Sequence, residues 1–236
     1  MNKKQRDWKE IIGKFVLISF VAPIAFILYK IIVSPEVNTE NIEGLRVKAD
    51  YVLMLFQCIL GIIGFLLPNI ITKKTKIVIP SKMYIAYILF LYGAVFLGEI
   101  RNYYYRVPHW DTILHTFSGV MFGALGFSFV NILNKNEKIH VKLSPLFVAI
   151  FSFLFAVTLG VIWEIFEFIV DGALGVNMQK FALENGNLLL GRNALVDTMQ
   201  DLIVDSIGAF VMAFIGYISL KYKKGWVEKL LIKIKK

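Results

Sequence analysis

Three short stretches carry the residues whose types and spacing could do chemistry. Asp111 and His115 stand four apart. Glu164, Glu167 and Asp171 fall at i, i+3 and i+7, and Asp197, Asp201 and Asp205 at i, i+4 and i+8. Each spacing puts its side chains on one face of a helix. The surrounding residues are apolar enough to cross a membrane, where an ionised carboxylate costs at least ~2.5 kcal/mol on insertion scales. Such groups must face a bundle interior and be paired, protonated or bound to a cation. A carboxylate-rich set with one histidine suits a hard or borderline divalent ion: Mg, Mn, Ca or Zn. On this reading Asp111, His115, Asp171, Asp197 and Asp205 are candidate metal ligands. Glu164, Glu167 and Asp201 are the candidate catalytic carboxylates, one of them free to act as a base. Arg101, Arg106 and Arg192 are candidates to hold a phosphate or a lipid headgroup. Shared protons are the other way to hold crowded carboxylates, so a purely structural network stays open.

The elements that must position these residues are membrane helices. Of the 236 residues 57% are hydrophobic, well above the ~45–50% of a soluble domain. Mean hydropathy is +0.66. The expected fold is an all-α, polytopic transmembrane bundle forming a single membrane domain over 1–236. Six spans are expected at about 11–33, 51–71, 78–99, 110–133, 143–170 and 196–220, each near the ~20 residues that cross a ~30 Å core. The first follows a basic start but is longer than a signal-peptide core and lacks a small-residue cleavage site, so it reads as an uncleaved helix. The net charge of +9 would suggest nucleic acid in a soluble chain. Here the basic residues cluster in loops between spans and read as topology signals instead, with no nucleic-acid partner.

Nineteen Lys and Arg residues fall at the N-terminus through Lys14, at Lys73, Lys74, Lys76 and Lys82, at Lys135, Lys138 and Lys142, and in the tail from Lys221. Seven fall on the other side: Lys30, Arg46, Lys48, Arg101, Arg106, Lys180 and Arg192. The positive-inside rule then places a multi-pass protein in the cell membrane with both termini cytoplasmic. The acidic residues collect toward the outer leaflet. Below them the same helix faces turn small: Gly119 and Gly123, Ala156 and Gly160, Ala209 and Ala213. Small residues let helix backbones approach closely. A tripod follows, tight in its inner half and opening outward into a polar cavity. The outer loop 172–195, with Phe181, Leu183 and Leu188 to Leu190, is too apolar to be freely solvated and reads as re-entrant or interfacial. The basic tail with Trp226, Leu230 and Leu231 reads either as lying on the anionic inner leaflet or as a stop-transfer flank. The single cysteine, Cys58, excludes an intrachain disulfide.

Asp111-Thr-Ile-Leu-His115-x-x-x-Gly119, Trp163-Glu164-Ile-Phe-Glu167 and Asp197-Thr198-x-x-Asp201 resemble the motifs of the YjdF-type bacterial inner-membrane proteins. The resemblance covers about residues 95–215 and implies no established activity. More distantly the chain resembles the VanZ-like membrane proteins. Those typically carry an acidic residue ahead of the second aspartate motif, where this chain has Asn193 and Ala194.

Three functions fit. One is a metal-assisted hydrolase or transferase acting on a lipid or envelope precursor at the outer leaflet, its partners the bilayer and that substrate. A second is a non-catalytic sensor or assembly protein with a structural acidic network. The third is a cation transporter, against which stand the dry inner halves and the absence of an internal repeat.

Overall fold

The computed structural model describes residues 8–38, 42, 44–134 and 143–234. Of the residues used to orient the chain, Lys3, Lys4, Arg6, Lys135, Lys138, Lys142, Lys235 and Lys236 lie outside that set. Among the described residues, six helical segments are long and apolar enough to cross a membrane: Trp8–Val33, Lys48–Lys74, Ser81–Ile100, Trp110–Asn134, Pro145–Leu174 and Gly191–Lys221.

The first span is two helices, α1 (Trp8–Val21) and α2 (Ile24–Val33). Pro23 separates them because it has no N–H to donate and its ring clashes with the preceding turn. Helix α3 (Lys48–Lys74) is locked at its start by Asp50, which accepts from the Val47 amide at 2.7 Å. A two-residue strand, β1 (Ile77–Val78), follows. It delays the next span relative to the sequence expectation, because it pairs antiparallel with β2 (Lys233–Ile234) from the tail. Helix α4 (Ser81–Leu91) continues as a π-helix over Tyr92–Ile100, then α5 (Tyr103–Arg106) turns the chain. The wider π turn leaves backbone carbonyls at its end, and the Arg46 guanidinium donates to those of Glu99 and Ile100 at 3.0 and 3.3 Å.

Helices α6 (Trp110–Asn134), α7 (Pro145–Leu174) and α8 (Val196–Lys221) make the second half. Ser144 caps α7, accepting from the Phe147 amide, with Pro145 in the first turn where its missing N–H costs nothing. Gly175 ends α7 at φ 65°, a left-handed geometry that favours glycine. Helix α7 thus runs past the expected end at 170, so Asp171 lies on its last turn rather than at the edge of a loop.

Each half has its own core. Phe20, Cys58 and Ile88 centre the first, Phe127, Val130 and Met212 the second. The tail packs back onto the second half. Val227 and Leu231 are buried in the second core, and the Ile232 amide donates to Ser128 Oγ at 3.0 Å. Burying those two apolar side chains outweighs leaving the segment spread on a surface. The loop between α7 and α8 packs on the end of the bundle. Val176 and Met178 bury against Leu53 and Val170, while Leu188 and Leu190 stay exposed.

Candidate functional site

The site is built where α6, α7 and α8 meet, and glycines decide how closely. A Cβ on Gly119 would collide with the Asp205 backbone carbonyl, and one on Gly208 with that of Thr116. Helices α6 and α8 therefore touch backbone to backbone. On α7 a Cβ at Gly160 would lie 2.8 Å from Asp205 Oδ2, so this glycine makes room for a carboxylate rather than for another helix. Further along, Gly123 lies against Met212 and Gly126 against the Ser152 backbone. The three small-residue stripes face one another, and the polar residues directly above them are forced together.

His115 stands at the centre of the polar layer. Its Nδ1 lies 3.3 Å from Asp205 Oδ2, and the other Asp205 oxygen accepts from Ser118 Oγ at 2.6 Å. With its proton on Nδ1 the ring donates to this carboxylate. In the neutral ring the Nε2 lone pair then faces Asp111 Oδ1 at 3.7 Å and Asp201 Oδ2 at 3.8 Å. Ligand atoms of Asp111, His115 and Asp201 all lie within 4.8 Å of one another, as do those of His115, Glu164 and Glu167. Both Glu164 oxygens are buried without a hydrogen-bond partner among the described residues, and the Thr198 hydroxyl faces them outside hydrogen-bond geometry.

The loop between α7 and α8 supplies a cation that helical periodicity does not point to. Lys180, held at φ 50°, reaches down so that its Nζ bonds Asp111 Oδ2 and lies 3.8 Å from Asp197 Oδ2. It also sits 4.6 Å over the Tyr104 ring. Burial alone would lower the Lys180 pKa. The charges of Asp111, Asp197 and Asp201 outweigh that and hold it above the usual lysine range. Burial, reinforced by Asp111 and Glu99, keeps the Tyr104 phenol well above its own, so it remains a protonated donor. Outside Lys180 opens a cavity of about 530 Å³, bordered also by Tyr105, Glu184 and Asn185. Lys180 separates this vestibule from the carboxylates.

The candidate residues fall into three groups. Asp111, His115, Glu164, Glu167, Asp197, Asp201 and Asp205 come together. Asp171 stands apart from them. Its two oxygens accept from the Met178 and Gln179 amides at 2.6 and 2.9 Å, which clasps the loop. Arg101, Arg106 and Arg192 are exposed, and the described ion pairs of the cluster run to His115 and Lys180 instead. Ser118 and Gln179 were missed. Ser118 lies three residues after His115 on the same face, a signal the spacing did contain. Gln179 bonds Thr198 Oγ1 at 3.0 Å through loop geometry that no spacing encodes.

A model of the family described as "Predicted membrane protein (DUF2238)" matches residues 41–222, which takes in α3 as well as the four spans that carry the motif resemblance. An uncharacterized protein of Thermotoga maritima is 31% identical over 158 residues, covering 66% of this chain and 72% of that protein. No solved structure matches. With six candidate spans, a family match over most of its length and the motifs gathered at one end of the bundle, the chain belongs to this uncharacterised family of membrane proteins.

Proposed function

We propose that the cluster is a divalent-cation site of a membrane enzyme, a hydrolase or transferase acting on a lipid or envelope precursor at the outer leaflet. The observation that carries this reading is Glu164. Its side chain is aimed at His115, the residue is 4% exposed, and neither oxygen has a hydrogen-bond partner among the described residues. Leaving a buried acceptor unsatisfied costs ~1–3 kcal/mol, more when it is charged. A cation would remove that cost. The charge balance points the same way. Asp111, Asp197, Asp201, Asp205, Glu164 and Glu167 face two groups able to carry positive charge, Lys180 and His115.

The residues fit such an ion. Asp111, His115 and Asp201 would hold it, and Glu164 and Glu167, which gather at the same imidazole, would reach an ion bound beside the ring. Asp205 would not be a ligand, because Ser118 and His115 Nδ1 already occupy its oxygens. It would orient the imidazole, as carboxylates behind metal-bound histidines commonly do. A Mg, Mn, Ca or Zn ion bound there would polarise a substrate oxygen or acidify a water. Glu164 or Glu167 would accept a proton. Lys180, between vestibule and cluster, is better placed than Arg101, Arg106 or Arg192 to meet a substrate phosphate. The glycine-packed layer beneath the cluster is a poor fit for a transport pathway. A structural network is the second reading, favoured by the bonds that already satisfy Asp111, Asp171 and Asp205. Outward placement of the site, with both termini cytoplasmic, rests on the Lys and Arg distribution.

Elemental analysis of the purified protein tests the reading. Stoichiometric Mg, Mn, Ca or Zn in the parent, lost in Glu164→Gln and Asp201→Asn variants that keep their helical circular dichroism, is expected. Metal at background in the parent, or unchanged in both variants, would contradict it.

A further inference from the structure

Helix α6 has a second face. While Asp111, His115 and Ser118 look toward α8, Phe117 and Trp110 line an apolar groove of about 600 Å³ between α6 and α4 with its π-helical continuation. Ala86 and Gly93 are small lining residues on the α4 side, and Phe90 stacks on Phe117 at 6.2 Å. The ends differ. At one, Trp110 bridges the two helices, its Nε1 donating to the Gly93 carbonyl at 3.2 Å. At the other the lining contains a charged residue, Lys82, exposed on the first turn of α4. From Lys82 to Gly93 the helix advances roughly 16 Å at ~1.5 Å per residue. Half of a ~30 Å hydrocarbon core is about the same length.

The Lys82 end is the basic end of the molecule. Lys73 and Lys74 close α3, Lys76 precedes β1, and strand pairing sets Lys233 beside Val78. The α4 amino terminus has no side-chain cap and adds its own partial positive charge. A groove of one-leaflet depth, apolar inside and cationic at its open end, matches a lipid with an anionic headgroup.

We propose that this groove binds one acyl chain of an anionic phospholipid from the leaflet at the Lys82 end, its phosphate held by Lys82 and the lysines around it. The chain runs toward Trp110. The site is independent of the carboxylate cluster, on the other side of the same helix.

The test is native mass spectrometry of the purified protein against phosphatidylglycerol and phosphatidylcholine, with thermal melts in nanodiscs of each lipid. The parent should retain phosphatidylglycerol in preference and melt higher in it. Lys82→Glu should weaken that binding at least about fivefold, the effect of one cation near an anionic surface. Ala86→Trp, which fills the groove, should abolish the bound lipid. Lys229→Glu, an exposed tail lysine, should change nothing. Equal retention of phosphatidylcholine by the parent, parental affinity in Lys82→Glu, or an equal loss in Lys229→Glu would each overturn the site. Should Ala86→Trp not fold, the Lys82→Glu and Lys229→Glu pair decides alone.

Discussion

The two halves of this bundle are assembled by different physics. In the first, α1 to α4 with the π-helix, large side chains fill the gaps between helices: Phe20, Ile27, Met54 and Ile88 form the centre. Its glycines face side chains: a Cβ on Gly13 would meet the Phe65 ring at 3.5 Å, an ordinary contact, while one on Gly61 would crowd Phe20 and Val95 at 3.2 Å. In the second half, α6 to α8, Gly119 and Gly208 face backbone carbonyls instead, so two helices touch main chain to main chain. Side-chain packing tolerates adjustment, whereas backbone contact fixes helix position and register. Fixed register is what brings the ligand atoms of Asp111 and Asp201, and of Glu164 and Glu167, within 4.8 Å of His115. The candidate site lies in the half packed backbone to backbone, and the other half lines one side of an apolar groove.

The largest expected effect breaks this contrast directly. Gly208→Leu drives a side chain into the Thr116 carbonyl and should cost more than ~3 kcal/mol, above the usual overpacking range, or prevent folding. Gly13→Ala should lie within about 1 kcal/mol of the parent, because the added methyl meets a normal contact and alanine favours helix. Thermal melts in detergent compare the two. Equal sensitivity would mean that the halves do not differ in kind.

Lys180→Met should come next, at no more than the ~3–5 kcal/mol of a fully buried ion pair, since Lys180 and Asp111 keep 19% and 20% of their side-chain surface exposed. Asp111 and Asp197 are left facing each other. Melts in chelator read the loss, and an added divalent cation should restore part of it. Asp171→Asn should be milder, ~1–3 kcal/mol, and local. It weakens the clasp on Met178 and Gln179, so hydrogen exchange at 176–183 should rise while the α6–α8 layer stays protected.

Helical periodicity made half of this legible. The stripes Asp111/His115/Gly119, Glu164/Glu167 and Asp197/Asp201/Asp205 face one another because a helix fixes which residues share a face, and small residues state where helices approach. Roles within a stripe are a different matter. Asp171 and Asp205 follow the same spacing as their neighbours, yet one is taken by loop amides and the other by Ser118 and His115. Partners contributed by other segments decide that, and periodicity carries no information about them. Lys180 shows the same limit. Its place depends on a loop closed by Asp171 and on the Asn102–Glu184 bond at 2.6 Å, contacts between residues far apart in sequence. The three arginines were grouped by side of the membrane, which is a coarser quantity than position in a site. The tail, read from its charge, is placed instead by the burial of Val227 and Leu231.

On the proposed function, the helices packed backbone to backbone hold a cation. Thermal melts of the parent and of Asp201→Asn, each with chelator and with Mg, Mn, Ca or Zn, test it most directly. A bound ion at a hundred times its Kd should stabilise the parent by ~2.7 kcal/mol, several degrees in melting temperature. Asp201→Asn should lose that increment. In chelator the variant should equal or exceed the parent, because one like charge has been removed from the cluster. A parent whose melting temperature ignores every cation, with Asp201→Asn less stable throughout, would show that the carboxylates are a structural hydrogen-bond network and contradict the account.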